Sequence, residues 1–574
     1  MTISKPAWWK DGTCYQIWPA SYKDSNGDGL GDIPGIVSTL DYLKDLGIDI
    51  IWLSPMFDSP QADMGYDIRN YEDVYPPYGT LADMEILIRE VHARGMRLIL
   101  DLVVNHTSDE HAWFKESKKN RDNDKADWYI WRAPRIVDGK RQPPNNWRSI
   151  FGGSAWEYVP ERDEYYLHLF CVEQPDLNWE NQTTRLAIYE TAIEFWLKKG
   201  IDGFRVDTVN LYSKDTEYPD AEVVDATSPY QEATKYYVNG PRMHEWLKEI
   251  RREVFAKYGD VMIVGELPDT KSRDEILLYV SAQEQELGMV FDFDIFMLGG
   301  CGSAQKHELY QHALTDMKKA IMKTQGLVIG TDAWTTVVAE NHDQGRSISR
   351  FATDDPKYHD KAGKLLAILL ATLTGTLFIY QGQEIGMVNV PTGWGAEEYQ
   401  DVWSQNYWNE MNVSYPGNQE MLKKALRALQ KISRDNARTP MQWDGSANAG
   451  FTEGKPWMRV HDNYPEINVE AQRHDRDSIF TFWKRMLELR KAHSELFIHG
   501  IFKVCEFENL KTFTFIKEST SGDQALVVLN FSDEVQDIYI PASLKDENLV
   551  LLLGNSDNQG KRLSAWEGRV YMRK

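Results

Sequence analysis

The chain has 574 residues, 42% of them hydrophobic, which is enough for a large core and more than one domain. Its formal net charge of −23 argues against a nucleic-acid partner, because a phosphate-binding face needs a basic patch, and leaves neutral ligands open. The 20 Trp and 28 Tyr offer rings for stacking on sugars, although most must serve packing.

The first half alternates strand-like and helix-like segments. Runs at 13–18, 48–53, 96–104, 203–206, 261–264, 289–293, 335–339 and 376–380 are rich in β-branched and aromatic residues. Several are continuously apolar, as strands buried on both faces should be. Between them, Ile36, Leu40, Leu43 and Leu46 share one helix face that stops before Gly47. Thr80 can cap a second helix, with Asp83 three residues on, Leu87, Ile88 and Val91 turned inward, and Gly95 ending it. A third helix starts at Thr183 and runs through Ile188, Ile193 and Trp196 to Gly200. Eight strands with intervening helices predict a (β/α)₈ TIM barrel, an α/β fold. The most apolar stretch, 365–380, is broken by Thr372, Thr374, Gly375 and Thr376. It is too short for a membrane span and predicts a buried helix feeding a buried strand.

Two stretches break the rhythm. Residues 105–180 follow the third strand, are dense in Asn, Asp, Lys and Trp, and carry Pro143-Pro144. A loop this long without regular period predicts a functional insertion, a subdomain over the barrel mouth. From about Gly500 short alternating strands take over, at 501–506, 512–517, 525–530, 549–554 and 570–572. The expected division is a barrel built from 1–104 and 181–499, an inserted subdomain at 105–180, and a C-terminal antiparallel β-sandwich domain at 500–574.

Cys14, Cys171, Cys301 and Cys505 are scattered and form no close metal-like pair, which reads as reduced thiols. The segment Met1 to Trp9 shows no apolar signal region. The expectation is a cytoplasmic monomer with small-molecule substrates and no membrane partner.

The chemistry lies in three acidic motifs: Gly203-Phe-Arg-Val-Asp207, Ile263-Val-Gly-Glu266 and Glu340-Asn-His-Asp343. In each, an apolar run ends in a carboxylate or in polar residues leading to one. A parallel barrel places its active site at that point, the carboxyl ends of several strands. Three converging carboxylates suit the breaking of a glycosidic bond, where one attacks or stabilises and another protonates the leaving oxygen. A separate acidic loop, Asp24 to Asp32, spaces oxygen ligands at Asp24, Asn26, Asp28 and Asp32, with the Leu30 carbonyl between them. That is a calcium-loop rhythm, though Gly35 stands where an EF-hand has its Glu.

With Asp101-Leu-Val-Val-Asn-His106, Gln174-Pro-Asp-Leu-Asn178 and Ala437-Arg-Thr-Pro-Met-Gln-Trp443, six motifs stand in order. Together they resemble the α-glucosidases of the α-amylase superfamily, in their fungal maltase and oligo-1,6-glucosidase branch, over nearly the whole length. The resemblance implies that Asp207 is the nucleophile, Glu266 the general acid and base, and Asp343 a transition-state stabiliser. Repulsion from Asp207 and Asp343 is expected to raise the pKa of Glu266, while Arg205, on the same side of its strand, keeps Asp207 ionised. By the same resemblance His106 and His342 hydrogen-bond glucose, and Asp63 and Tyr66 line the terminal-glucose pocket. Asp63 pairs with Arg438, which closes the pocket and implies exo action. Phe151, Phe170 and Gln174 border the sugar, and Thr208 sits between the first two sugar sites. Pro268 departs from the polar residue that relatives often carry two positions after the acid.

The resemblance thus implies an exo-acting, retaining α-glucosidase for maltose-like α-glucosides and sucrose, with structural calcium and no cofactor for the chemistry. The alternatives are an α-1,6-active isomaltase, or a sucrose isomerase or transglucosylase on the same scaffold. Against the isomerase, Gly345-Arg-Ser-Ile-Ser-Arg-Phe351 resembles an ordinary hydrolase loop. A non-catalytic partner subunit of a membrane transporter would need a membrane span and broken acidic motifs.

Overall fold

Short apolar segments that bury both faces can only stack side by side in a core, and eight of them do so here. The computed structural model describes residues 7–300, 309–545, 548–557 and 560–574, so Cys301 lies outside the described residues. The barrel strands are β1 (Thr13–Ile17), β2 (Ile50–Leu53), β3 (Arg97–Leu102), β4 (Gly203–Val206), β5 (Met262–Leu267), β6 (Met289–Asp292), β7 (Thr336–Val337) and β8 (Thr376–Tyr380). Each falls on a predicted segment. They pair in parallel in the order β6-β5-β4-β3-β2-β1-β8-β7. Between β6 and β7 the Thr336 hydroxyl donates to the Val290 carbonyl at 2.9 Å, which bridges the seam of a nearly closed barrel.

Alternation along the strands sorts two cores. Cys14, Ile50, Trp52, Ile99, Val264 and Phe378 fill the barrel interior. Their neighbours Tyr15, Ile51, Leu98, Phe204 and Ile263 face the helices. At β4 the fit is tight enough to demand glycine: a Cβ on Gly203 would lie 2.0 Å from the Met262 carbonyl oxygen.

The first predicted helix is two, α1 (Ile33–Ser38) and α2 (Leu40–Leu46), broken at Thr39, whose hydroxyl bonds back to the Ile36 carbonyl. Gly47 ends α2 at φ 105°. The second, α3 (Leu81–Ala93), carries the expected capping box between Thr80 and Asp83. The third, α4 (Gln182–Ile188), starts one residue earlier than predicted, because the side chain of Asn181 accepts from the N–H groups of Thr183 and Thr184. The apolar stretch forms α5 (His359–Ala371), almost entirely buried, leading into β8. Among the described residues no helix is long and apolar enough to cross a membrane.

The insertion after β3 is more regular than its sequence. It holds a helix, Ala112–Ser117, and a three-stranded antiparallel sheet of Trp131–Arg132, Glu164–Leu167 and Trp156–Val159. Its own core, around Trp147, Trp156 and Leu167, takes in Leu211, Tyr218 and Tyr237 from the segment after β4. The C-terminal part pairs β9 (Ile501–Cys505), β10 (Thr512–Glu518), β11 (Gln524–Asn530), β12 (Leu549–Gly554) and β13 (Gly568–Arg573) in the order β9-β10-β11-β13-β12. Phe513, Phe515 and Val527 pack one face on the main core. Ile516, Leu526 and Val528 pack the other against Leu544 and Leu563.

Candidate active site

At the carboxyl ends of β3, β4 and β5 the strand register sets Arg205 beside Asp101, with Asp207 just past the end of β4. The buried Arg205 guanidinium holds three carboxyls. Nη1 donates to Asp101 at 2.6 Å and to Asp207 at 2.7 Å, and Nη2 lies 2.8 Å from Glu266. One cation cannot neutralise three buried anions, so one carboxyl keeps its proton. Glu266 is that group. Burial pushes its pKa up to about 8, with Arg205 opposing and Asp207 and Asp343 adding to the rise. Asp207 rises less, to about 6, again chiefly by burial against the pull of Arg205. Burial therefore leads, and the expected like-charge repulsion adds to it. Arg205 limits the rise of Asp207 rather than abolishing it.

Thr208 follows Asp207 in a left-handed conformation, φ 39°, which is strained for a β-branched residue. The turn aims its N–H at Glu266 (3.1 Å) and its hydroxyl at the second oxygen of Asp207 (3.2 Å). Both carboxyls are thereby oriented from one residue.

Asp343 lies across the cavity. Burial would raise its pKa, but His342, Arg434 and Arg438 outweigh that and hold it well below the usual carboxylate range. His342 is itself uncharged at neutral pH, since burial pushes it down to about 4. Gln16 donates to its Nδ1 at 2.7 Å, which leaves the ring proton on Nε2, 3.0 Å from Asp343 and 2.6 Å from the Tyr66 hydroxyl. The rings of Trp18 and Tyr66 lie nearly parallel to the imidazole, with centroids 5.1 and 5.4 Å away.

The predicted Asp63–Arg438 pair does not form. Asp63 pairs instead with Arg434, at 2.8 Å, and Arg434 also reaches Asp401 at 2.7 Å and Asp343 at 3.4 Å. Arg438 turns away from Asp63 to Asp401 (2.7 Å) and Asp343 (3.1 Å), with its guanidinium 4.4 Å from the Trp18 ring centroid. The two arginines stand four residues apart on one helical turn, so both face the same cluster, and Arg434 is the one that reaches Asp63. Gln174 holds Asp63 at 3.1 Å and contacts His106 at 3.1 Å from behind.

These groups enclose a cavity of about 510 Å³. Asp207, Glu266 and Asp343 line it, and Asp63, Tyr66, His106, Phe151, Phe170 and Thr208 form walls. Gln174, Arg205, His342 and Arg438 stand behind that surface and support it. Sequence reasoning missed Asp101, Arg434, Asp401 and the wall residue Trp403. Asp101 stood in a quoted strand-end motif, and Arg434 was signalled by its i, i+4 relation to Arg438.

The acidic loop is closed by its own hydrogen bonds. Asp24 accepts from the N–H groups of Asn26, Gly27 and Gly29 and from the Thr452 hydroxyl. Asp32 caps α1 through the Gly35 N–H at 2.6 Å and accepts from Ser25. Asn26 and Asp28 each accept one backbone N–H and keep further lone pairs. Among the described residues no three His, Cys, Asp or Glu side chains form a metal-sized group.

A buried acid with a raised pKa, a second carboxyl on the same guanidinium and a low-pKa third carboxylate in one cavity define a glycoside-cleaving site. The description "Alpha amylase, catalytic domain" matches residues 16–500, and the chain belongs to the α-amylase family. Its relatives include an α-glucosidase of Candida albicans, 50% identical over 99% of this chain and all of that one. An oligo-1,6-glucosidase of Saccharomyces cerevisiae is 43% identical, with both chains fully covered. Among solved structures, a trehalose-6-phosphate hydrolase of Bacillus licheniformis superposes with a TM-score of 0.91 at 39% identity, covering 99% of each chain.

Proposed function

We propose that the chain is an exo-acting, retaining α-glucosidase that releases glucose from the non-reducing ends of maltose, short malto-oligosaccharides and sucrose. The observation that carries the reading is the pair Asp207 and Glu266 on two nitrogens of one buried guanidinium, in a cavity walled by Asp63 and Arg434. Retaining chemistry needs two carboxyls about 5 Å apart, one ionised and one protonated. In this mechanism Asp207 attacks the anomeric carbon while Glu266 gives its proton to the departing glycosidic oxygen. Glu266, now ionised, takes a proton from water, which displaces Asp207 from the anomeric carbon and restores both groups. Asp343 stays ionised throughout and stabilises the positive charge that develops on the sugar ring.

Thr208, a hydroxyl-bearing residue at the junction of the first two sugar sites, supports α-1,4 preference over the α-1,6 action in the name of the yeast relative. The non-catalytic alternative has no support, because the acidic motifs are intact and converge. Cytoplasmic location, supported by free thiols at Cys14, Cys171 and Cys505, remains part of the proposal, as does a monomeric state. So does a structural calcium on Asp24, Asn26, Asp28, the Leu30 carbonyl and Asp32, remote from the chemistry; no cofactor is assigned to the reaction.

The test is covalent trapping. A 2-deoxy-2-fluoro glucosyl donor should label a peptide containing Asp207, and Asp207→Asn should lower activity at least ~10³-fold. Label elsewhere, or inverted product by NMR, would refute the mechanism. Maltose, isomaltose, sucrose and starch assayed side by side decide the substrate.

A further inference from the structure

The cavity has an outer rim, and its charge is one-sided. Exposed Glu232, Asp269 and Asp294 line the cavity together with the less exposed Asp63, Asp207, Glu266 and Asp343, against an exposed Lys271 and a partly buried Arg434. The inner charges are largely spoken for: Arg434 is held by Asp63 and Asp401. Asp294 shares Lys323 with Asp292, at 3.1 and 2.7 Å. At the rim itself Glu232 and Asp269 face a single Lys271 among the described lining residues.

Asp269 is fixed by its turn. It follows Pro268 at φ 53°, and the Pro268 carbonyl accepts from Asn210 at 2.8 Å. Asn239 and Asn210 both donate to Thr270, on the other side of Asp269, at 3.1 Å. Glu232 comes from the segment after β4, where it accepts from Thr234 at 2.9 Å. The two acids are close enough to feel each other: after burial, Glu232 is the next influence raising the pKa of Asp269, with Lys271 opposing. Position decides what they face. Glu266 protonates the leaving oxygen, so the turn that continues from it, Leu267 to Lys271, stands on the leaving-group side of the cavity.

Building on the α-glucosidase reading, we propose that Glu232 and Asp269 make the leaving-group side charge-selective. Glucosides with neutral or cationic leaving groups are accepted, and anionic ones, phosphorylated or carboxylated, are rejected. Low-dielectric walls focus the field of fixed charges, and like charges brought together there are penalised. The trehalose-6-phosphate hydrolase among the solved structures carries a phosphorylated sugar in its name, which this rim would disfavour.

Three α-glucosides test the proposal, with 4-carbamoylbenzyl, 4-carboxybenzyl and 4-(aminomethyl)benzyl alcohols as leaving groups. The benzylic carbon insulates the scissile bond from the charge, so reactivity is matched. At low ionic strength kcat/KM should fall about tenfold from the neutral to the anionic glucoside and be highest for the cation. The anion-to-neutral gap should shrink at least about threefold in 0.5 M salt and again in the doubly substituted Glu232→Gln, Asp269→Asn enzyme. Equal rates on neutral and anionic glucosides would overturn the proposal, as would a gap that survives both substitutions, which would assign it to the deeper carboxyls. Turnover of the neutral glucoside reads on the α-glucosidase assignment alone; its absence would overturn that reading and this one together.

Discussion

Glu266 and Asp207 share one guanidinium yet hold protons to different pH, and the pH profile should reveal it. In the proposed mechanism Asp207 must be ionised to attack and Glu266 protonated to donate. Activity is therefore lost below about 6, where Asp207 takes up its proton, and above about 8, where Glu266 loses its own. A bell-shaped kcat/KM with limbs near those values is expected, as properties of the pair rather than of either residue. A flat profile from pH 5 to 9 would contradict it. Arg434 sets a different group. Arg434→Gln removes a cation from Asp63, Asp401 and Asp343 at once, so the pKa of Asp343 should climb and kcat/KM fall about 10²-fold. Thr208→Val should raise the isomaltose-to-maltose ratio of kcat/KM by roughly 10-fold, within the range expected for a small change in a pocket. Because the Thr208 hydroxyl also donates to Asp207, a modest loss on both substrates should accompany the shift. An unchanged ratio would retire the selector role.

Elements were legible where their signal was continuous. Several barrel strands are continuous or nearly continuous apolar runs, and the Thr80–Asp83 box marks a helix start that the backbone honours. The insertion hid its sheet because strands of two to four residues are too short to display a period. The break between α1 and α2 was hidden too, since the apolar face continues across Thr39 while the backbone does not. The acidic loop makes a prediction at this scale. Its hydrogen bonds let it fold unaided, so calcium would add stability only by mass action. A chelator should lower the melting temperature while activity at 25 °C persists. Unchanged melting, with no metal by elemental analysis, would leave a hydrogen-bonded turn.

At the scale of the molecule, the inserted subdomain and the turn carrying Arg434 wall the barrel mouth, with Phe151 5.2 Å from the Arg434 guanidinium. Walled on these sides, a cavity of about 510 Å³ is expected to admit a chain end rather than a chain middle. Glucose should therefore appear from short oligosaccharides before a soluble starch solution loses viscosity; an early fall in viscosity would show internal cleavage. The barrel, the three acidic motifs at its strand ends and the family they point to were legible in the sequence alone, because strand runs and strand-end acids are local signals. Only the tertiary structure decided that Asp63 meets Arg434 and not Arg438, that His342 works from behind Asp343, and that burial orders the protons of Asp207 and Glu266. Those outcomes depend on distance and desolvation among residues brought together from separate parts of the chain, up to 371 positions apart for Asp63 and Arg434, which no local pattern encodes.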